Sequence, residues 1–497
     1  MDSSNQEYRK ERGQFFTPPE VATFMAELSA NQRESPTRIL DPGAGLGILS
    51  CAVCERLAQD DTITEIQLDL CEDDHTLTKY LEESVGYLAA WLKERGVTLN
   101  SRIIEDDFVL STNRLGSTEI LGGYDLVISN PPYLKIAGDD PRSLSVDEVV
   151  YGQPNLYALF MISGMKVLRD AGVMVFITPR SYTSGKYFEA FRRVFFARMV
   201  PVRIHVFESR KHVFSNQSVL QENIILKATK DAPSTQMTIS TSKNSDDLRH
   251  PPMNRIALKH AFVRRGADAI LRLPLNKEDM LALDIVDAWE STLKDHGLQI
   301  STGPVVPFRS KEFIASCEAE KKRNLTPLLW MRNVRPMKMV WPCKNGGTRD
   351  ADYQFIADCA RTRQRRLLLP NGNMVLLRRF STKDDARRLI AAPMLKEDLA
   401  FDVIGIENHL NYIFRPEHPL SPDETFGLAA VLNSSLLDRY FRICNGNTQV
   451  GAAEIRAMPL PPVDILAKLG RDLRLVDSAI TQAMIDEHLA DTIGHNP

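Results

Sequence analysis

The chain lacks the features that mark several large classes of protein. No unbroken apolar run approaches the ~18 residues that span a bilayer, and no apolar signal region follows the polar start Met1–Arg12. Neither a membrane partner nor a secreted location is therefore expected. Cysteine is scarce, seven in 497 residues and an odd number, which excludes a disulfide framework and points to a reducing compartment. Cys51 and Cys54 form a CxxC, yet no second Cys/His pair stands at zinc spacing. Both lie in the apolar-periodic run Ile48–Leu57 and read as buried helix residues, so no metal is expected. A surplus of one charge is missing too: 61 Lys and Arg meet 64 Asp and Glu, for a net charge of -3. What remains, 43% hydrophobic and 25% charged residues, is the balance of an ordinary globular protein and not of a disordered one.

The charge average hides an asymmetry. Between Ser301 and Ala400, 20 Lys and Arg stand against 10 Asp and Glu, whereas the rest of the chain holds 41 against 54. A basic stretch on an otherwise acidic protein suits a polyanion-binding surface, and equally a solvated basic face. Organisation changes along the chain as well. The first half alternates short β-type runs (Arg38–Leu40, Ile66–Leu70, Arg102–Ile104, Tyr124–Ser129, Val173–Thr178) with helix-periodic stretches (Ile48–Leu57, about Thr76 to Arg95, Leu156–Leu168). That alternation predicts a doubly wound α/β sheet, with ligands beyond the carboxyl ends of its strands. The polar stretch Asp231–Asp247 reads as a boundary or an exposed excursion, and Leu271–Leu293 as largely helical. Beyond Gln299 come short strand-like pieces such as Val375–Phe380, then a helix around Thr425–Phe441. The expected division is a first domain over 1–235, a helical bridge over 236–295, and a mixed second domain over 296–497.

Two motifs carry chemistry. Asp41-Pro42-Gly43-Ala44-Gly45-Leu46-Gly47 sits at a strand-to-helix turn, where glycines permit a tight turn and amide N–H groups at the helix start are expected to face outward. It has no Gly-Lys-Ser/Thr ending, so it is not a P-loop, and its glycine spacing departs from the dinucleotide fingerprint. Such a turn is also a common structural device. Glu72, with Asp73 and Asp74 beside it, stands after the next strand, where a carboxylate accepts hydrogen bonds from ribose hydroxyls. The sharper motif is Asn130-Pro131-Pro132-Tyr133, directly after Tyr124–Ser129. Two prolines fix an extended backbone and remove two donors. The Asn130 side-chain oxygen and the Pro131 carbonyl then form a paired acceptor for an exocyclic amino group, beside an aromatic surface.

With these motifs on the page, the sequence resembles the gamma class of N6-adenine DNA methyltransferases, which use S-adenosyl-methionine. Asp41–Gly47 looks like their cofactor loop and Asn130–Tyr133 like their catalytic tetrapeptide. Gly13-Gln14-Phe15-Phe16-Thr17-Pro18-Pro19-Glu20 is similar to their methionine-binding segment, and its position ahead of the other two is the gamma order. The resemblance covers roughly Gly13 to Lys227. It implies a Rossmann-like, mainly parallel methyltransferase domain followed by a mixed α/β target-recognition domain. It places Phe16, Thr17, Pro18, Asp41, Gly43, Ala44, Gly45, Glu72, Asp107, Phe108 and Asn130 at the cofactor, and Asn130, Pro131, Pro132, Tyr133 and Phe214 at catalysis. Phe214 matches the aromatic that stacks on the extruded base; Phe207 lies in a similar setting, and a core role is open for Phe214.

The function this implies is site-specific methylation of a flipped adenine in double-stranded DNA, within a bacterial or archaeal cytoplasm and with a cognate restriction endonuclease as a possible separate chain. The tetrapeptide is shared with RNA and protein-glutamine methyltransferases, and an inactive DNA-binding relative would keep the same fold. Arg363, Arg365, Arg366, Arg378 and Arg379 are the candidate DNA contacts. A dense run of arginines is how a surface that tracks phosphates is usually built, and such contacts give affinity without sequence information. Replacing Arg365 and Arg366 with Gln is therefore expected to weaken binding to specific and random duplexes alike. The salt slope should fall by about 0.9 for each phosphate no longer neutralised. Binding curves across a salt series measure this, and a loss confined to the specific duplex would assign these arginines to base reading.

Overall fold

The computed structural model describes residues 12–29, 35, 37–117, 123–149, 152–207, 223–244, 247–265, 268–315, 324–343, 354–381, 385–445 and 449–494. It divides into two compact units, Met1–Asn276 and Lys277–Pro497. Among the described residues no helix is long and apolar enough to cross a membrane.

The first unit is built on a nine-stranded sheet in the order β3-β2-β1-β4-β5-β7-β6-β8-β9. Its strands are β1 (Thr37–Pro42), β2 (Glu65–Cys71), β3 (Thr98–Ile104), β4 (Tyr124–Ser129), β5 (Leu168–Pro179), β6 (Met199–Phe207), β7 (Asn223–Lys230), β8 (Gln236–Ser242) and β9 (Met253–Ala257). The five strands from β3 to β5 are all parallel, and β7 runs antiparallel to both of its neighbours. Chain order reverses between β1 and β4, since β2 and β3 lie on one side and β5 on the other. Their carboxyl ends diverge there, which is where a doubly wound sheet opens a crevice. All six residues of β4 are buried, as a central strand with both faces covered requires.

Helices α1 (Pro19–Ser29), α2 (Ile48–Leu57), α3 (His75–Lys93), α4 (Phe108–Ser117), α5 (Leu156–Val167) and α6 (Glu189–Arg198) connect or flank these strands. Of α5 only Lys166 escapes burial, so it is a core helix, apolar all round. A large core cluster joins Val21, Met25, Val53, Leu57, Ile66 and Leu126, tying α1 and α2 to the sheet.

The sheet extends past the expected boundary at 235. Gln236–Ser242, read from sequence as an excursion, is β8, parallel to β6. Its serines are buried, and Ser240 and Ser242 lie 3.0 and 2.9 Å from the two ring nitrogens of His205. Burial pushes the His205 imidazole down to about 3, so it stays neutral. The stretch expected as a bridge, 236–295, is thus shared between the two units. In the second unit the expected helix over Leu271–Leu293 is confined to Lys277–Asp287.

The second unit holds a four-stranded sheet (Gln299–Thr302, Leu410–Phe414, Met374–Arg378, Ala391–Met394) and a five-stranded one (Ile314–Ala315, Phe355–Ala357, Leu325–Leu329, Val403–Ile406, Leu368–Pro370). The helix expected near Thr425–Phe441 is two helices, Pro422–Asn433 and Ser435–Cys444. Ser434 breaks them: its backbone is extended and its hydroxyl accepts from the Leu437 N–H as a cap.

One buried ion pair fixes the region after β5. Arg192 is fully buried. Its Nε donates to Asp268 Oδ1 at 2.8 Å, and its Nη1 donates to the carbonyls of Tyr182 (3.0 Å) and Gly185 (2.8 Å). Arg192→Leu leaves Asp268 uncompensated and is expected to cost about 3–5 kcal/mol. Denaturant unfolding checks the loss. The double variant with Asp268→Leu should recover part of it, and strict additivity would show that the two residues are not coupled.

Candidate active site

The loop from β1 to α2 opens the site. Gly43, Gly45 and Gly47 have φ of +72°, +58° and +79°, a region that costs a side-chain-bearing residue about 1–2 kcal/mol. Space is not the constraint at the first two: a Cβ there would sit 3.5 Å from the Phe160 ring and 3.6 Å from the Phe16 ring. Three amides of the loop, ahead of the helix start, turn back onto the end of β2. Gly43 and Ala44 N–H donate to the Cys71 carbonyl at the end of β2 (2.9 and 3.0 Å), and Gly45 N–H donates to Glu72 Oε2 at 2.8 Å. The loop is therefore fastened to β2, and Glu72 is the fastener.

The three acids after β2 divide their tasks. Glu72 is buried and also accepts the Asp74 N–H on Oε1 at 2.9 Å. Burial raises its pKa, while the two backbone N–H groups oppose that rise. Asp73 pairs with Arg12 at 2.9 Å. Asp74 caps α3 through the backbone and side chain of Thr76. Across the cleft, Asp107 Oδ1 accepts the Leu110 N–H at 3.0 Å and Oδ2 lies 3.7 Å from the Arg142 guanidinium. Burial raises its pKa as well. Phe108, buried, packs on Phe160 of α5 with ring centroids 5.3 Å apart.

The segment from Gly13 to Thr17 lies against the tetrapeptide. Tyr133 N–H donates to the Gly13 carbonyl at 3.0 Å. At φ +65°, a Cβ on Gly13 would meet the Tyr133 backbone at 2.9–3.0 Å, so only glycine permits this approach. The Asn130 Nδ2 donates to the Phe15 carbonyl (2.8 Å) and to Thr17 Oγ1 (3.1 Å). Both of its N–H bonds are thereby used, while the buried Oδ1 has no hydrogen-bond partner among the described residues. The Tyr133 ring packs near Phe15 and Tyr157, and its hydroxyl donates to the Ile177 carbonyl at 3.3 Å.

These elements enclose a cleft of about 350 Å³. Of the residues expected there, Phe16, Thr17, Gly43, Ala44, Gly45, Glu72, Asp107, Phe108, Asn130 and Pro132 line it, whereas Pro18, Asp41, Pro131 and Tyr133 do not. Phe214 lies outside the described residues. Phe207, its neighbour in sequence, is a buried core residue against His205. Gln14 of the Gly13–Glu20 segment lines the cleft too, as do Arg12, Arg142 and Phe160, which went unmarked in the sequence because no spacing connects them to the motifs. In the second unit Arg363 forms a two-point pair with Asp358 (2.6 and 2.7 Å), and Arg365 lies 3.4 Å from Glu312. Arg378 donates to the Val334 carbonyl and Arg379 to that of Asn408. Arg366 is exposed.

Residues 64–214 match the family described as Eco57I restriction-modification methylase. The type II methyltransferase M.BsuBI of Bacillus subtilis is 30% identical over 98% of this chain and 94% of its own. M.PstI of Providencia stuartii is 30% identical over 96% of this chain and 92% of its own. Among solved structures, the type IIL restriction-modification enzyme MmeI in complex with DNA has the same fold, with a TM-score of 0.55 and 10% identity over 99% of this chain and 73% of that one.

Asp41 is a buried support, not a wall. It accepts a 2.6 Å hydrogen bond from Ser50 of α2, and its other oxygen has no partner among the described residues. Burial pushes its carboxyl from 3.8 up to about 7, with Ser50 opposing and Glu72 assisting. A carboxyl raised in the folded state opposes folding once ionised. Its full contribution is present below the ordinary value and is lost as pH rises toward 7. Asp41→Asn, which keeps an acceptor for Ser50, should therefore gain stability relative to the native chain between pH 5 and pH 8, by about 3 kcal/mol. Unfolding at the two pH values measures it; parallel behaviour of the two proteins would mean that Asp41 titrates normally.

Proposed function

The chain belongs to the type II methyltransferases of restriction-modification systems, and from that premise we propose that it methylates N6 of an adenine flipped out of duplex DNA. It is a DNA methyltransferase, and S-adenosyl-methionine is its cofactor, supplying a methyl group on a positively charged sulfur. The cleft fits that molecule on its own chemistry. Glu72 keeps acceptor lone pairs for the ribose hydroxyls, and Asp107 one for the adenine amino group. Phe108 and Phe160 offer a surface for the adenine ring. Gln14–Thr17 and the Gly43–Gly45 loop are left for the methionyl part.

The observation that carries the adenine reading is the state of Asn130. An exocyclic amino nitrogen is a poor nucleophile because its lone pair is delocalised into the ring. An acceptor pair that takes both of its N–H bonds favours tetrahedral geometry and localises that lone pair. The Asn130 amide supplies one acceptor, since its own donors are already engaged and Oδ1 is not. The Pro131 carbonyl supplies the second, since the Tyr133 N–H that could close a tight turn onto it is given to the Gly13 carbonyl instead. Acting where charge develops, these groups stabilise the transition state more than the ground state. Flipping costs a few kcal/mol, and stacking by Tyr133 and Phe214 would offset part of it.

The second unit is the target-recognition domain in this reading, in line with its basic window. A nuclease on a separate chain, cutting the same sequence, would complete the system. Asn130→Ala is expected to lower methyl transfer ~10²–10³-fold while cofactor affinity changes less than about threefold. Mass spectrometry of the modified nucleoside, with mapping by single-molecule sequencing, checks the substrate. N4-methylcytosine as the product, or near-normal transfer by the variant, would overturn the proposal.

A further inference from the structure

An asparagine amide has two ends of similar shape and opposite chemistry. A half-turn about its last torsion exchanges acceptor for donor, and little in the residue itself prefers one state. If Asn130 is to accept from a target amino group, something must keep Oδ1 toward the target. With Nδ2 in that place, two amino groups would face each other.

Both candidate restraints come from one segment, more than 110 residues earlier in the chain. The Phe15 carbonyl takes one N–H of Asn130, and it can only accept. A turned amide would set Oδ1 against that carbonyl oxygen and leave both unpaired. The Thr17 hydroxyl takes an N–H as well, at 3.1 Å, and Thr17 is only 6% exposed, so water does not readily replace it. The segment is itself held at both ends. Tyr133 N–H binds the Gly13 carbonyl, and the Ala22 N–H binds the Pro18 carbonyl at the start of α1.

We propose that the Phe15 carbonyl sets the orientation of the catalytic amide and that the Thr17 hydroxyl, bonded to the second N–H, holds it there, which makes Thr17 a positioning residue for methyl transfer and not only part of the cofactor's surroundings. The proposal rests on the reading of Asn130 given above. It implies a division of effects that a cofactor contact would not produce: loss of the hydroxyl lowers turnover and leaves cofactor affinity in place.

The test compares Thr17→Val, which keeps the shape of the side chain, with Thr17→Ser, which keeps the hydroxyl. Loss of one hydrogen bond is expected to lower kcat about 5–10-fold, with cofactor Kd from calorimetry and KM for DNA within about twofold of the native values. Thr17→Ser should return kcat to within about twofold of native. A second readout needs no reaction. In protein labelled with 15N-asparagine and free of cofactor, the side-chain amide signal of Asn130 is identified by its absence in Asn130→Ala. Thr17→Val should shift it and speed its hydrogen exchange, and Thr17→Ser should not. If the Val variant does not fold, Thr17→Ala takes its place in both arms. A raised Kd with kcat preserved would assign Thr17 to the cofactor alone, and an unmoved amide signal would remove the lock. Failure of the native enzyme to methylate adenine would overturn the proposed function instead, and the amide spectra would still decide whether the lock exists.

Discussion

The first unit depends on a contact between two pieces of backbone. Gly13 presses against Tyr133 so closely that a single methyl group would collide with the peptide, and one N–H to carbonyl bond joins them. From that crossing the rest of the site follows. Phe15 and Thr17 reach Asn130 because Gly13 is where it is, and Phe16 reaches the glycine loop for the same reason. A segment that precedes the first strand thereby becomes a wall of a cleft whose other walls come largely from the ends of four strands, β1 to β4. The topology makes room for it: the sheet reverses order between β1 and β4, and the crevice at that point is where the segment lies.

Electrostatics divides the acidic residues around this crevice by burial and partner. Asp41 and Glu72 are both raised by burial, yet they serve different ends. Asp41 spends its hydrogen bond on Ser50 and supports the loop from beneath. Glu72 is fed by two backbone N–H groups that oppose protonation, and it lines the cleft. Asp74 is taken by a helix cap. A carboxylate that accepts fixed backbone donors is an acceptor held in one geometry, and that pre-organisation is what binding a polar ligand requires. Neighbouring acids in sequence thus have unrelated roles in space.

The basic window of the second unit shows the limit of counting charge. Arg363 and Arg365 already face Asp358 and Glu312. Arg378 is turned inward, its guanidinium made less basic by burial, and it holds a backbone carbonyl. The local excess of positive charge in the sequence is real, but part of it is neutralised within the unit, and exposed surface pairs contribute little to stability.

The sequence alone made legible the alternating elements from Thr37 to Pro179, the positions of both motifs at strand ends, and ten of the residues that line the cleft. Each of these is a local matter: period, turn chemistry and the absence of a proline N–H act within a few residues. It missed β8, because Ser240 and Ser242 look like loop residues until His205 is placed between them. It merged two helices at Ser434, because a helix cap and a helix interior share the same apolar spacing around them. It counted Asp41 among the cofactor's contacts, though Asp41 is buried beneath the loop and does not line the cleft. Arg12, Arg142 and Phe160 were invisible as site residues, since the cleft residues they meet, Asp73, Asp107 and Phe108, are far away in the chain. Only the tertiary structure decided which amides of the glycine loop were free and which way the Asn130 amide pointed. Those outcomes depend on acceptors from Cys71, Glu72, Phe15 and Thr17, and a hydrogen bond between distant segments leaves no period or spacing in the sequence.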